Sequence, residues 1–243
     1  MTLLGLESNG TGSPLVWLHG FTQTKHAAQE FRTILTERFE VLTIDLPGHG
    51  ENAHIRANLT ETADLLAEIL PREPFVLAGY SLGSRVALHF AIQHPERLCG
   101  LATLGATRGI KDVNERSARR TADNELATRL RAMGAEAFLR EWLTQPMFAN
   151  LPPETFESRS HDSEGMARAL ELLGTGTQEW LGDRIGDIAV PYTALAGTLD
   201  TKFATEAAAL AQAAQNGTCW LIENALHPAH LEKPDVAATL IRF

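Results

Sequence analysis

The chain has 243 residues, 44% hydrophobic and 21% charged, a globular composition that excludes a disordered, fibrous or coiled-coil chain. Its length fits one large α/β domain or two small ones around a sizeable core. The formal net charge of −9 excludes the surplus of Lys and Arg that a phosphate backbone requires, so no nucleic-acid partner is expected.

No apolar run approaches the roughly 18 residues of a membrane helix, and the opening MTLLGLESNG lacks the basic-then-apolar pattern of a secretory signal. A soluble, cytoplasmic protein without a membrane partner is the expectation. Cys99 and Cys219 lie within apolar stretches and read as two buried small side chains rather than as a disulfide or a metal pair.

The opening LLGLESNGTGSPLVWL reads as one antiparallel hairpin at a sheet edge, with NGTGSP as its turn. Apolar runs then alternate with helical patterns: a strand at 14–19, a helix near 25–37, strands at 39–45 and 74–80 around a helix near 60–70, a helix near 82–94 and a strand at 98–105. Runs such as FVLAGY are apolar on both faces, as strands covered by helices on both sides must be, which predicts a mostly parallel, doubly wound sheet. From 108 to 185 the strand rhythm stops and the text turns helical and charged. Nine of the 17 arginines fall between 108 and 168. Strand, helix, strand, helix resumes at 190–197, 203–215, 218–222 and from about 233. The expected organisation is one core over 1–107 and 186–243, with 108–185 as a helical lid inserted after the sixth strand.

The strongest local signal is VLAGYSLGSRVALHF. Gly79, Tyr80, Ser81, Leu82 and Gly83 form GxSxG between an apolar strand and an amphipathic helix, the sequence of a nucleophile elbow. A serine hydroxyl needs a base, and His227, after the last apolar run, could reach Ser81 from a loop at the carboxyl edge of the sheet. Asp200, following the strand at 190–197, is placed to fix the tautomer of that histidine. Asp45 is the rival acid, preferred as a cap for the LPGHG turn. The order Ser81, Asp200, His227 is that of α/β-hydrolase triads. The backbone N–H groups of Leu82 and Phe21 are the expected oxyanion donors. His19 and His49 read as turn-holding residues, and His230 as packing or capping the last helix. No metal cluster, phosphate loop or dinucleotide fingerprint is present in the sequence, so no cofactor is expected.

Taken together, HGFTQTK, DLPGHG, GYSLGSR, the lid, TLD and His227 resemble the α/β-hydrolase superfamily over nearly the whole chain. GYSLGSRVAL, ERSARRTAD, FLREWLTQPMFANL and LDTKF further resemble one family within it, the menaquinone-pathway lyase 2-succinyl-6-hydroxy-2,4-cyclohexadiene-1-carboxylate synthase. The resemblance implies elimination of pyruvate from an enolpyruvyl cyclohexene polycarboxylate, with the triad used as a base. It makes Ser81 the proton-abstracting serine, with Asp200 and His227 its partners. It makes Arg85, Arg119 and Arg159 anion-binding arginines, and Tyr80, Trp142 and Lys202 further pocket residues. Three positions depart from the family pattern: Leu226 before the histidine, Ser84 after the elbow and Leu143 after Trp142. Guanidinium forks suit a small polycarboxylate ligand. The alternatives are an esterase or carbon–carbon bond hydrolase with the same triad, and a ligand receptor that keeps the elbow only for shape.

Overall fold

The computed structural model describes residues 3–242. Seven strands, β1 (Glu7–Asn9), β2 (Ser13–Leu18), β3 (Phe39–Ile44), β4 (Phe75–Tyr80), β5 (Leu98–Leu104), β6 (Tyr192–Gly197) and β7 (Gly217–Ile222), form one sheet in the order β1-β3-β2-β4-β5-β6-β7. All neighbours are parallel except β1 and β3. The expected opening hairpin is therefore not formed: β1 runs against β3, with Glu7 opposite Thr43, rather than against β2. Both edges of β2 are already taken, by β3 and by β4, which leaves β1 only the outer edge of β3.

Alternation along the strands divides the core between the two faces. On β4, Phe75 and Leu77 join the cluster under α2 (Leu59–Ile69), α3 (Leu82–Gln93) and α7 (Thr201–Ala213). Val76, Ala78 and Tyr80 join the cluster under α1 (Gln29–Leu35), α8 (Ala229–Glu232) and α9 (Pro234–Leu240). This double burial is what the continuous apolar runs required. Asn58 and Glu61 form a reciprocal capping box at the start of α2. The first helix begins at Gln29, later than its sequence pattern suggests, because Ala28 is left-handed (φ 58°) and Asp45 Oδ1 holds the Lys25 N–H at 2.7 Å. Pro234, which has no N–H, divides the C-terminal helix into α8 and α9.

The cysteine expectation also needs correction, since Cys99 is exposed and Cys219 half-buried. Phe75 pairs with Leu98 and Val76 with Gly100, so Cys99 is the extra residue of a β-bulge and turns outward. Cys219 belongs to β7, an edge strand whose Trp220 and Leu221 are exposed.

Between β5 and β6 stand α4 (Val113–Met133), α5 (Ala135–Trp142) and α6 (Ser163–Leu173). They share an apolar cluster of their own that includes Leu130, Phe138, Leu139, Met166 and Leu170. Arg131 on α4 bridges Glu164 and Glu171 of α6 across the outer surface. This helical cap follows the fifth strand of seven rather than the sixth, because the segment before β2 supplies a single strand, β1, and only β2 to β5 lie between it and the cap. Phe21 joins cap to core, its ring 6.4 Å from that of Phe138 and 5.4 Å from that of Trp142.

Candidate active site

Ser81 sits in the turn between β4 and α3 with φ 51° and ψ −104°, a conformation an L residue adopts only when its surroundings impose it. The two glycines of the elbow make that possible. A Cβ at Gly83 would meet the Leu18 carbonyl oxygen at 2.2 Å, and one at Gly79 would meet the Gly83 carbonyl carbon at 2.5 Å. Ser84 braces the turn from within: its hydroxyl lies 2.6 Å from the Gly79 carbonyl oxygen and accepts the Leu104 N–H at 3.0 Å.

The three residues of the expected triad converge from the ends of β4, β6 and β7. Ser81 Oγ lies 3.0 Å from His227 Nε2, and His227 Nδ1 lies 2.7 Å from Asp200 Oδ2. Asp200, an acceptor, fixes the proton on Nδ1, which leaves Nε2 free to accept the serine O–H. The same aspartate caps α7 through Oδ1 toward the Phe203 N–H at 3.5 Å. Packing finishes the alignment: the rings of Phe203 and Tyr80 stand 4.4 and 5.2 Å from the imidazole of His227. Leu226, one of the departures, gives its N–H to Glu232 at 3.1 Å, so the loop is anchored without a glycine there.

Gly105 supports the imidazole from below. Its φ is +64°, and a Cβ there would lie 2.6 Å from His227 Cε1. Gly105→Ala is therefore expected to displace His227 and lower turnover by roughly two orders of magnitude, the scale of misplacing a catalytic group by about 1 Å. Steady-state kinetics beside a melting curve would check this. Unchanged kcat would mean that the ring has room to spare.

Leu82 opens α3, so its N–H has no intrahelical acceptor, and the positive end of the helix dipole adds to it. Phe21 lies in the turn closed by the Gln23 N–H to the Gly20 carbonyl at 3.1 Å. Two neutral histidines hold that turn. Leu46 N–H donates to His19 Nε2 at 2.9 Å and Thr22 N–H to His49 Nε2 at 3.2 Å, so each ring carries its proton on Nδ1 and gives it to a backbone carbonyl. Asp45 accepts the backbone N–H groups of Lys25 and Glu51, the turn-capping role rather than the triad role.

Burial lowers His19 and takes His49 and His230 to about 3 and His89 to about 4, from an ordinary 6.5. Below pH 6.5 the unfolded chain binds protons that these buried rings refuse, so stability falls as the pH drops. The slope approaches about 1.4 kcal/mol per pH unit for each such histidine. Urea unfolding between pH 7 and 4.5 should show the loss, and an unchanged midpoint would contradict neutral buried rings.

A cavity of about 520 Å³ lies between the triad and the cap. Ser81, His227, Phe21, Leu82, Arg85, Arg119, Trp142 and Lys202 all line it. Arg85, one turn into α3, is buried and donates to the Leu173 carbonyl at 2.5 Å. Burial first, and then the nearby Arg119, bring its guanidinium down to about 10, so it stays charged at neutral pH. Lys202 stands exposed at the mouth.

Two expected binding residues are not in the wall. Tyr80 is buried behind His227, with the ring of His230 4.4 Å away on its other side. Arg159 is buried behind the Phe21 turn and donates to Thr22 Oγ1. Residues that the sequence reading passed over are Asp123, Gln145, Met147 and Phe203, all lining the cavity. All four lie in ERSARRTAD, FLREWLTQPMFANL or LDTKF, so the segments were visible but not which positions face inward.

The model of the alpha/beta hydrolase family matches residues 15–240. The 2-succinyl-6-hydroxy-2,4-cyclohexadiene-1-carboxylate synthase of Citrobacter koseri is 35% identical over 257 aligned positions, covering 99% of this chain and 100% of that one. Among solved structures, MenH from S. aureus superposes with a TM-score of 0.92 at 33% identity, covering 99% of this chain and 97% of that one. A thermophilic esterase from Thermogutta terrifontis, in a malate-bound structure, superposes with a TM-score of 0.83 at 28% identity, covering 98% and 91%. The chain belongs to the α/β-hydrolase family and, within it, to the 2-succinyl-6-hydroxy-2,4-cyclohexadiene-1-carboxylate synthases.

Proposed function

We propose that this chain eliminates pyruvate from 2-succinyl-5-enolpyruvyl-6-hydroxy-3-cyclohexene-1-carboxylate to give 2-succinyl-6-hydroxy-2,4-cyclohexadiene-1-carboxylate. The observation that carries the reading is full-length similarity to synthases of that name, in a chain whose serine and histidine share a cavity with Arg85 and Arg119. A polycarboxylate suits such a wall, because guanidinium groups bind carboxylates through paired, directed hydrogen bonds.

In this mechanism His227 Nε2 takes the Ser81 proton as Ser81 Oγ removes a proton from ring carbon beside the electron-withdrawing system. The charge that develops on oxygen rests against the N–H groups of Phe21 and Leu82. The C–O bond to the enolpyruvyl group then breaks, and the leaving enolate takes the proton held by His227 and tautomerises to pyruvate. Asp200 stabilises the imidazolium between the two transfers. General-base catalysis contributes about 10²–10⁴ in rate, and an oxyanion donor about 10²–10³. Of the remaining binding residues, Arg85, Arg119, Trp142 and Lys202 would contact the ligand directly, while Tyr80 and Arg159 would act from behind His227 and Phe21.

The test is release of pyruvate from the enolpyruvyl substrate, followed by coupling to lactate dehydrogenase and NADH oxidation. Turnover of that substrate is the expected result. Rapid cleavage of simple esters with no pyruvate released would instead favour the second reading, an ester hydrolase. That reading is supported by the 3.0 Å spacing of Ser81 and His227, which would equally serve acyl transfer, and by the likeness to the Thermogutta esterase.

A further inference from the structure

Asp123 is, with Asp45, one of two buried Asp or Glu residues among those described, and Asp45 is accounted for by its turn. It lies on the inward stripe of α4 with Ala127 and Leu130, where an apolar side chain would avoid the cost of desolvating a carboxylate. Its oxygens are divided between two partners. Oδ1 accepts Arg119 Nε at 2.8 Å, one helical turn back, and Oδ2 accepts the Gly176 N–H at 3.0 Å from the loop after α6. The backbone closes tightly on it, since a Cβ at Gly174 would come within 2.6 Å of Oδ2. The other carboxylate partners of cap arginines, Glu136, Glu141, Glu164 and Glu171, sit at or near the surface, where such pairs contribute little.

We propose that Asp123 is a positioning residue for anion binding: it holds Arg119 by Nε, so that both terminal amino groups face the cavity free to fork one carboxylate of the substrate. Those amino groups have no protein acceptor among the described residues. Arg85, Arg119 and Asp123 line the same wall, and two cations with one anion leave a single positive charge, matched to one carboxylate. The attraction of Asp123 for Arg85 partly offsets the repulsion that Arg119 exerts on the same guanidinium. The Gly176 contact ties the same carboxylate to the far side of the cap, so the direction of Arg119 is set by two segments rather than by its own flexible stem.

The inference rests on the polycarboxylate reading of the cavity. It is tested by a double-mutant cycle on Arg119→Ala and Asp123→Ala, with Asp123→Asn as a variant that keeps the side-chain volume should the alanine variant fail to fold. Binding of 2-succinylbenzoate, the flat and unreactive relative of the proposed substrate, is measured by isothermal titration, beside KM and kcat for pyruvate release. Asp123→Ala is expected to raise the dissociation constant and KM about tenfold while kcat changes less than threefold. The double variant should bind like Arg119→Ala alone, because coupled groups do not add. Asp123→Asn, lacking the charge and offering an N–H or a single acceptor, should fall between the two.

Fully additive losses, or binding by Asp123→Ala and Asp123→Asn within twofold of wild type, would overturn the inference. A fall in kcat and melting temperature with KM unchanged would do the same, assigning Asp123 to the fold alone. A wild type that neither binds the analogue nor releases pyruvate would instead overturn the reading of the cavity.

Discussion

Ser81→Ala should cut pyruvate release by about 10²–10⁴-fold in kcat, the contribution of a positioned general base, while the fold stays intact. The strained turn is fixed by Gly79, Gly83 and Ser84 and not by the Ser81 hydroxyl, whose recorded partner is His227. Melting temperature and binding of 2-succinylbenzoate should therefore remain close to wild type. The same substitution separates the elimination from simple shape retention: a receptor that kept the elbow only as scaffold would lose nothing beyond a change in ligand affinity. Residual turnover above a tenth of wild type would remove Ser81 from the role of base.

Arg85→Ala should lower kcat/KM for the enolpyruvyl substrate by about 2–5 kcal/mol, the range for removing one partner of a buried, hydrogen-bonded charge pair. Arg85 is 8% exposed and lies beside Arg119 with a single acid nearby, Asp123, so the resting site carries uncompensated positive charge that an incoming carboxylate relieves. Turnover of an uncharged nitrophenyl ester, if the site supports any, should barely change. Equal losses on charged and uncharged substrates would point to the other contact of Arg85, the Leu173 carbonyl, and make the residue a brace between α3 and the cap.

The sheet and the site elbow were legible because their signals are local. Double-sided apolar runs, GxSxG between strand and helix, and the acid and histidine at the ends of later strands each follow from a few consecutive residues. What failed depended on partners distant in the chain. Whether β1 pairs with β2 or with β3 is decided by β4 occupying the second edge of β2, which no property of residues 3–18 records. Cys99 looks buried in LCGLATL, and the register shift that turns it out is a property of the β4–β5 pair.

The cap shows the same division. Its helices were visible, but α4 presents Asp123, not a leucine, to its inner stripe, and a buried acid is invisible to hydrophobic periodicity. Arg159 and Tyr80 carry a family resemblance in sequence, yet a match in position along the chain says nothing of whether a side chain stands in a wall or behind it. The histidines read as holders of turns, His19 and His49, do hold them, and do so through backbone N–H groups.

The placement of the cap in mid-chain bears on how the polypeptide reaches its working form. β5 must find β6 across residues 105–191, an ordering cost that grows with the logarithm of the intervening length, whereas α4, α5 and α6 can condense from neighbouring contacts. Asp200 and His227 lie beyond that junction, so a nascent chain that has emerged only as far as the cap already possesses its arginines and its serine but no proton acceptor. The contacts of His227 with Asp200 and Ser81 thus form late in assembly, when the last quarter of the chain has docked.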